Sequence, residues 1–295
     1  MKKISIIINC YNGEKYLSQC ISSVLDQTYS NFEIIIFDNY STDQSKNIIN
    51  NFKDERLKYY KSNTKVSLYK ARNEAIKKTT GEFIAFLDVD DWWDKNYLSS
   101  RKEQFYNEEY DFFYTNTFVF YQNKNVLKKY KKYKLPSGKI YDSLAKDYFI
   151  IISGLIIRKK IFDIIGNFNS NLNIIGDFDF VMRGSKNFNF HALNDPLIFY
   201  RVHKSNFSKL NSEIFFREFL YWFNLQEKLD DNNFDRNKNL FKEKLDSLEI
   251  NHLLLNKEKN FLLFKKIIKF PSLIKKLKFL IGFFLPKKII RILKK

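Results

Sequence analysis

The sequence predicts an α/β fold with a mainly parallel sheet, helices on both faces of that sheet, and a helical extension at the carboxyl terminus. Two observations lead to this prediction. Over the first ninety residues, short apolar runs rich in β-branched side chains alternate with amphipathic helical segments. Beyond about residue 206 the pattern is helical to the end of the chain. Strand–helix alternation of this length is typical of parallel sheets that are covered by helices on both faces.

The predicted elements follow one another in a regular order. Strands are predicted at residues 4–8, 33–37, 57–60, 83–87, 112–121 and 196–202. Helices are predicted at residues 16–25, 70–78 and 97–106, and after a cap at residues 41–43. In parallel sheets ligands bind beyond the carboxyl ends of the strands. The polar segments 10–13, 38–41 and 88–91 follow the first, second and fourth strands, so this edge is the predicted site.

The composition excludes several classes of protein. A chain of 295 residues that is 44% hydrophobic and 28% charged can bury a sizeable core, and it is neither disordered nor fibrous. No apolar run reaches the roughly twenty residues of a membrane-spanning helix, and no secretory signal is visible. The two cysteines, Cys10 and Cys20, form no disulfide framework and no cysteine metal site. We expect a soluble, cytoplasmic protein.

A pair of carboxylates ends the fourth predicted strand. Asp88 and Asp90 lie two residues apart on an extended segment, so both side chains can face one site. Hard oxygen ligands suit Mg²⁺ or Mn²⁺, which keeps few protein ligands and completes its shell with phosphate oxygens and water. The alternative is that these acids only end a strand and cap the next turn. No G-x-G-x-x-G or G-x-x-x-x-G-K-[ST] motif offers another phosphate site, so a diphosphate held by a metal is predicted.

A second acidic cluster, Asp177 and Asp179, follows Gly176 at a predicted helix start. The helix dipole there favours the ionised carboxylate that a general base requires. Spacing alone favours the simpler interpretation that Asp177 caps its helix. Asp179 lies four residues before Arg183, so we expect it to be an ion-pair partner rather than a catalyst.

An ordered set of motifs resembles family 2 glycosyltransferases of the GT-A fold. The segment 4–43, which reads ISIIINCYNGEKYLSQCISSVLDQTYSNFEIIIFDNYSTD, resembles the opening of these enzymes. The motifs ARNEA at residues 71–75, GEFIAFLDVDD at 81–91, GDFD at 176–179 and DPLIFYRVH at 195–203 follow in the family's order. Each motif is weak by itself, whereas the ordered set is specific and covers roughly residues 1–205.

The resemblance implies a role for each matching residue. The residues implied to contact the nucleotide are Tyr11, Asp38, Asn39, Arg72 and Asp88. The residues implied to bind the cofactor, Mn²⁺ or Mg²⁺, are Asp90 and His203. Asp177 matches the catalytic base, and Ser153 and Gly154 resemble the short turn near the donor sugar.

These residues imply a metal-dependent, inverting glycosyltransferase that uses a nucleotide-diphosphate sugar, with a UDP-linked donor expected. The acceptor would be a hydroxyl group of a growing bacterial surface glycan or of a lipid-linked glycan. An alternative is a nucleotide-sugar-binding or assembly partner whose catalysis has decayed. A nucleotidyltransferase would need a basic, glycine-rich phosphate loop after the first strand, and Gly13 alone does not form one.

Two domains are expected, a catalytic GT-A domain at residues 1–205 and a helical extension at 206–295. A basic tail begins at about residue 257. Residues 257–295 contain thirteen Lys or Arg and one acid, a surplus of twelve positive charges in a chain whose net charge is +18. The basic character of the chain therefore belongs mainly to this tail.

Apolar residues of the tail recur at spacings of three and four and are opposed by lysines, which predicts a basic amphipathic helix. Such a helix can bind an anionic membrane at its interface, or its apolar face can pack on the protein. Membrane contact would place the chain beside lipid-linked acceptors on the cytoplasmic face. No nucleic-acid-binding motif accompanies the tail, so nucleic acid is not an expected partner.

Overall fold

Two units make up the chain, Met1–Asn206 and Phe207–Lys295. A computed structural model of the chain describes residues 1–206, 211–256 and 260–285. The first unit contains a sheet and its helices, and the second unit is helical in its described residues. All the residues to which the sequence analysis assigns a role in the site lie in the first unit.

The first unit contains every strand that the sequence predicts. Its strands are β1 Ile4–Cys10, β2 Phe32–Asp38, β3 Leu57–Lys61, β4 Phe83–Asp88, β5 Trp92–Trp93, β6 Phe112–Tyr121, β7 Val126–Lys129, β8 Leu155–Arg158 and β9 Phe190–Val202. Its α-helices are α1 Leu17–Leu25, α2 Ser45–Asn51, α3 Leu68–Ile76, α4 Tyr141–Lys146, α5 Lys160–Ile165 and α6 Gly176–Ser185.

The prediction of a helix at residues 97–106 is wrong. Two short 3₁₀-helices, Ser99–Arg101 and Gln104–Tyr106, take its place. The hydroxyls of Ser99 and Ser100 donate to backbone carbonyl oxygens three residues earlier, at 3.3 and 3.0 Å. Such local side-chain bonds compete with a regular α-helix, which gives a physical reason for the tighter turns.

The sheet is parallel in one half and mixed in the other. Its strand order is β3-β2-β1-β4-β8-β6-β9-β5, and β7 pairs with β6. β1 pairs in parallel with β2 and β4, and β2 with β3, as the strand–helix alternation predicts. Beyond β4 the direction changes, because β8 runs antiparallel to both β4 and β6. The direction of these later strands depends on long connections, which a local sequence pattern does not encode.

Strands β1 and β2 of the parallel half are buried on both faces, which is why they are nearly continuous apolar runs. All seven residues of β1 and all seven of β2 are buried. The apolar face of α1 packs against the sheet, as its spacing predicts. The parallel register aligns Cys10 with Asp38 and Asn9 with Asp88, so the carboxyl ends of three strands meet at one edge.

Four helices form the described part of the second unit. They are α7 Ser212–Gln226, α8 Asn232–Asn256, α9 Phe261–Ile268 and α10 Leu273–Phe284. The Trp222 ring of α7 contacts the rings of Phe234 and Phe241 on α8. A second cluster joins α8 to α9 and α10, with Leu254 and Phe279 among its buried residues.

No helix in the described residues is long and apolar enough to cross a bilayer. Helices α9 and α10 fall within the predicted basic tail. The amphipathic pattern that the sequence shows at residues 287–295 lies outside the described residues.

Candidate active site

The predicted site lies where β1, β2 and β4 end. Because these strands are parallel and in register, the polar segments that follow them come together at the carboxyl edge of the sheet. Helix α3, which carries Arg72, packs against β1 and β2. Asp177 enters from the start of α6, and His203 follows the end of β9. The fold therefore gathers at one edge residues that are far apart along the chain.

Asp38 and Asn39, which the family resemblance implies to contact the nucleotide, follow one another at the end of β2 and are fixed by hydrogen bonds within the chain. The Asp38 carboxylate accepts a hydrogen bond from the Tyr59 hydroxyl and another from the Ser41 N–H, both at 2.7 Å. The Asn39 amide donates to the Val66 carbonyl oxygen at 2.8 Å and accepts from the Val66 N–H at 3.0 Å. Both side chains already have partners within the chain, so their contact with a base stays a prediction.

Tyr11 is an exposed aromatic residue at the same edge. Its side chain is 43% exposed, and the ammonium group of Lys65 lies 3.8 Å from the centre of its ring. An accessible ring at this place can stack on a nucleotide base.

Arg72 and Asp88 form an ion pair at the sheet edge. Arg72 is 2% exposed, and its guanidinium group donates to the Asp88 carboxylate. The guanidinium group also lies 5.2 Å from the centre of the Tyr69 ring. Burial raises the pKa of Asp88, and Arg72 opposes that rise without cancelling it. A ligand with hydroxyl groups, such as a ribose, would add hydrogen bonds to this carboxylate.

Asp90 and His203, the predicted metal ligands, are brought together. His203 Nε2 lies 2.8 Å from Asp90 Oδ2, and the Asn206 amide donates to the same oxygen at 3.2 Å. His203 Nδ1 lies 2.9 Å from the Ser205 hydroxyl, which orients the imidazole ring. The described residues contain no group of three or more His, Cys, Asp or Glu side chains placed to hold a metal ion. Phosphate oxygens and water would therefore have to complete the shell of an ion bound here.

Asp91 anchors the loop that carries Asp90, a role that sequence reasoning did not assign. It is 1% exposed and accepts hydrogen bonds from the Ser153 hydroxyl at 2.5 Å and the Arg201 N–H at 2.8 Å. Burial raises the pKa of Asp91, and the charges of Asp90 and Asp88 raise it further. The buried Ser153 hydroxyl also accepts from the Asp88 N–H at 3.1 Å. Ser153 thus supports the carboxylate loop, and its contact with a donor sugar stays a prediction.

Two glycines permit close packing around the site. A Cβ atom on Gly154 would lie 2.7 Å from Ile198 Cδ1, so a larger residue would collide with β9. A Cβ atom on Gly176 would lie 2.5 Å from the buried Tyr69 ring. The second contact allows Tyr69 to lie against the first turn of α6.

Asp177 lies in the first turn of α6, on a different element from the Asp90–His203 pair. Its Oδ1 atom accepts from the Tyr69 hydroxyl at 3.0 Å, and that hydroxyl shares its one proton with the Ile174 carbonyl oxygen at 2.9 Å. Burial raises the pKa of Asp177, and Arg72 opposes the rise. A carboxyl group with a raised pKa holds a proton more strongly, which suits a general base. Asp179 pairs with Arg183 at 3.0 Å, so its predicted ion-pair role is confirmed.

Sequence reasoning missed the residues that orient the predicted ones. These supporting residues are Tyr59, Tyr69, Asp91 and Asn206. Asp91 stands within the acidic motif and Asn206 follows His203 by three residues, so the sequence offered a signal for both. The two tyrosines act from β3 and α3 on residues of other elements, and no local pattern marks them.

Comparison with known proteins identifies the family. A model of glycosyl transferase family 2 matches residues 5–166, more than half of the chain. The chain therefore belongs to glycosyl transferase family 2, as its ordered motifs predict.

Two curated relatives come from Escherichia coli, and both are UDP-Glc:alpha-D-GlcNAc-diphosphoundecaprenol beta-1,3-glucosyltransferases. WfaP is 40% identical over 119 residues, which cover 40% of this chain and 47% of WfaP. WfgD is 35% identical over 144 residues, which cover 49% of this chain and 55% of WfgD. The chain thus spans about half the length of each of these relatives.

Solved structures share the fold at low sequence identity. S. aureus TarS 1–349 in complex with UDP-GlcNAc has a TM-score of 0.59 and 19% identity, over 95% of this chain and 79% of that one. The mannosyltransferase PcManGT from Pyrobaculum calidifontis, in complex with GDP-Man and Mn²⁺, has a TM-score of 0.62 and 12% identity, over the same shares. These similarities confirm the predicted GT-A fold.

Proposed function

We propose that this chain is an inverting, metal-dependent glycosyltransferase that moves a sugar from a UDP-linked donor to a hydroxyl group of a lipid-linked glycan. One observation carries the proposal, the presence of two distinct acidic groups at one edge of the sheet. Asp90 lies in the turn after β4 and contacts His203, whereas Asp177 lies in the first turn of α6 beside Tyr69. An inverting transfer needs charge stabilisation for the leaving diphosphate and a separate base for the acceptor.

The donor is proposed to bind along the ends of β1, β2 and β4. The proposed nucleotide contacts are Tyr11, Asp38, Asn39, Arg72 and Asp88, and those to the sugar are Ser153 and Gly154. We expect Ser153 to contribute through its backbone, because its hydroxyl is buried against Asp91. A UDP-linked donor is favoured because WfaP and WfgD use UDP-Glc and TarS binds UDP-GlcNAc. A GDP-linked donor is the alternative, because PcManGT binds GDP-Man.

Asp90 and His203 fit a divalent cation, and we propose Mn²⁺ or Mg²⁺. Their facing donor atoms lie 2.8 Å apart, so a modest separation of the two side chains would allow both to bind one ion. The carboxylate oxygen suits either ion, and the imidazole nitrogen favours Mn²⁺. When bound, the ion would neutralise negative charge that develops on the departing diphosphate.

Asp177 is the proposed general base. Its carboxylate accepts the proton of the acceptor hydroxyl while the hydroxyl oxygen forms a bond to the anomeric carbon of the donor sugar. The bond from that carbon to the diphosphate oxygen breaks in the same step, and attack from the opposite face inverts the configuration. The Tyr69 hydroxyl donates to Oδ1 of Asp177 at 3.0 Å, which orients the carboxylate that receives the proton. Solvent then removes the proton from Asp177.

The acceptor is proposed to be lipid-linked. The names of WfaP and WfgD give alpha-D-GlcNAc-diphosphoundecaprenol, a sugar joined through a diphosphate to a polyprenol, as their acceptor. We therefore propose that this chain works as a peripheral protein at the cytoplasmic face of the cell membrane.

Calorimetric titration with UDP, with and without Mn²⁺, tests the donor and the metal. The wild-type chain should bind UDP more tightly with Mn²⁺, and Asp90→Ala and His203→Ala should each lose about tenfold or more in affinity. Glu109→Ala removes an exposed carboxylate outside the site and should bind as the wild type does. UDP affinity that is independent of Mn²⁺ would contradict the metal, and tighter binding of GDP would contradict the donor.

Turnover distinguishes an enzyme from a decayed binding partner. The wild-type chain should slowly release UDP from a UDP-sugar, and a decayed partner would bind UDP without releasing any. Proton NMR of the first product gives its anomeric configuration. An α-linked donor should yield a β product, and an α product would contradict inversion.

A further inference from the structure

Exposed apolar side chains are concentrated on helix α10 of the second unit. Leu273, Ile274, Leu277, Ile281 and Phe284 are between 52% and 73% exposed, and we call these five residues the α10 stripe. On α9, Phe261 and Leu262 are 68% and 74% exposed. Large apolar residues that are exposed singly are ordinary, whereas a contiguous group of them indicates an interaction surface.

The α10 stripe occupies one side of its helix. Its members stand at positions i, i+1, i+4, i+8 and i+11, which fall within about 100° of one another in a helix of 3.6 residues per turn. The buried residues of α10, Phe279 and Gly282, lie on another side, and a Cβ atom on Gly282 would be 3.3 Å from Leu254 of α8. The unit therefore packs one apolar side of α10 in its own core and leaves a second apolar side exposed.

The charged residues of α9, α10 and their flanks are all basic. Residues 260–285 contain six lysines and no acidic residue. Lys266 pairs with Asp246 and Glu249 of α8, and Lys275 pairs with Glu243 of the same helix at 2.9 Å. The other four, Lys265, Lys269, Lys276 and Lys278, form no ion pair within the described residues.

We propose that α9 and α10 form a membrane-binding face whose partner is an anionic phospholipid bilayer. The α10 stripe enters the interfacial layer, and the four unpaired lysines contact the negatively charged headgroups. A bilayer fits better than a second copy of this chain, because two copies joined through the stripe would bring their lysines together. This inference concerns binding rather than turnover, so it stands or falls independently of the proposed reaction.

Vesicle sedimentation with the full chain tests the proposal. The chain should sediment with vesicles of phosphatidylglycerol and phosphatidylcholine in equal parts, and less with phosphatidylcholine alone or at high salt. The triple variant Ile274→Asn, Leu277→Asn, Ile281→Asn should lose about tenfold or more in vesicle affinity. Neutralising the four unpaired lysines to Gln should weaken the preference for anionic vesicles by about tenfold or more.

Matched control variants remove exposed apolar residues or lysines that lie outside α9 and α10. The apolar control replaces exposed residues at and just after the end of α7, Tyr221→Asn, Leu225→Asn and Leu229→Asn. The charge control replaces four exposed lysines of the first unit, Lys46, Lys53, Lys102 and Lys132, by Gln. Both controls should bind vesicles as the wild type does, and circular dichroism checks that every variant is folded.

Three results would overturn the inference. The first is a wild-type chain that does not sediment with anionic vesicles. The second is a control variant that loses as much affinity as the stripe variant. The third is a wild-type dimer, measured by sedimentation equilibrium, that the stripe substitutions convert to a monomer, because a second copy would then cover the stripe. UDP titration of the stripe variant, which should match the wild type, keeps this test separate from that of the proposed reaction.

Discussion

Carboxylates at the two edges of the parallel half-sheet differ in how strongly their surroundings stabilise the ionised form. At the amino edge, Glu33 of β2 is 2% exposed and accepts hydrogen bonds from Ser5, Lys58 and Thr80 at 2.6, 2.7 and 2.7 Å. Burial by itself would raise the pKa of Glu33, but these donors outweigh burial and lower the pKa to about 2.

At the carboxyl edge, burial outweighs the hydrogen bonds and positive charges that would lower the pKa of a carboxyl group. Burial raises the pKa of Asp88, Asp91 and Asp177, and the attraction of Arg72 does not cancel the rise at Asp88 or Asp177. The donors around Glu33 therefore outweigh the cost of its burial, whereas the donors and charges around Asp88, Asp91 and Asp177 do not outweigh the cost of theirs. Shifts of this kind are typical of functional sites, where a ligand or cation supplies the missing partner.

Removal of the Asp177 charge should have the largest effect. Asp177→Asn should lower kcat by about 10²- to 10⁴-fold, because an amide cannot accept the acceptor's proton. The stability of the fold should be unchanged or higher, since the raised pKa of Asp177 means that folding disfavours its ionised form. Rates of UDP release and differential scanning calorimetry measure these two quantities.

Asp163→Asn is the control for this experiment, because it removes an exposed carboxylate of α5. It should change neither kcat nor the melting temperature. A large loss of stability in Asp177→Asn would show that Asp177 is a structural group, and the comparison between the two edges would then fail.

Glu33→Gln should lower the stability of the fold and leave kcat unchanged, the reverse of Asp177→Asn. We expect the free energy of unfolding to fall by about 2–3 kcal/mol, because Lys58 loses its ion partner and a buried set of hydrogen bonds is weakened. The value of kcat should not change, since Glu33 lies at the edge opposite the site. Urea unfolding of both proteins at neutral pH measures the difference, and Glu55→Gln, an exposed carboxylate, is the control.

The pH dependence of this difference follows from the lowered pKa of Glu33. A pKa of about 2 in the folded chain, against an ordinary 4.5, gives a stabilisation that is complete above pH 4.5 and is lost as the pH falls towards 2. The wild type and Glu33→Gln should therefore approach equal stability in acid. A difference that persisted unchanged to low pH would contradict the assignment of the stabilisation to the ionised carboxylate.

Tyr69→Phe should have the smallest effect and sharpens the assignment of the base. Burial raises the pKa of Asp177, and the Tyr69 hydroxyl acts against the rise by donating to the carboxylate. Loss of this donor should raise the pKa of Asp177 further and move the acidic limb of the kcat profile to higher pH, by up to about one unit. Tyr106→Phe, at a tyrosine that is 59% exposed, is the control. An acidic limb that did not move would assign the proton transfer to another group.

Local sequence patterns were sufficient to predict those elements that bury a whole face. β1 and β2 are buried on both sides, so their apolar runs identify them without other information. The Asp179–Arg183 pair was predictable because residues four apart on a helix are neighbours. The antiparallel placement of β8 was not predictable, because it depends on which strands a long connection brings together.

Spacing along the chain is enough to define the α/β class, the family motifs and the acidic residues at the strand ends. The folded chain is needed to show which of these acids has hydrogen-bond partners. Asp38 receives its hydrogen bond from Tyr59 on another strand, and Asp177 receives one from a helix 108 residues earlier. Strand order and register set those distances, and they are long-range properties. The charge state of a carboxylate depends on such neighbours. The difference between Glu33 at the amino edge and the acids of the carboxyl edge therefore exists only in the folded chain.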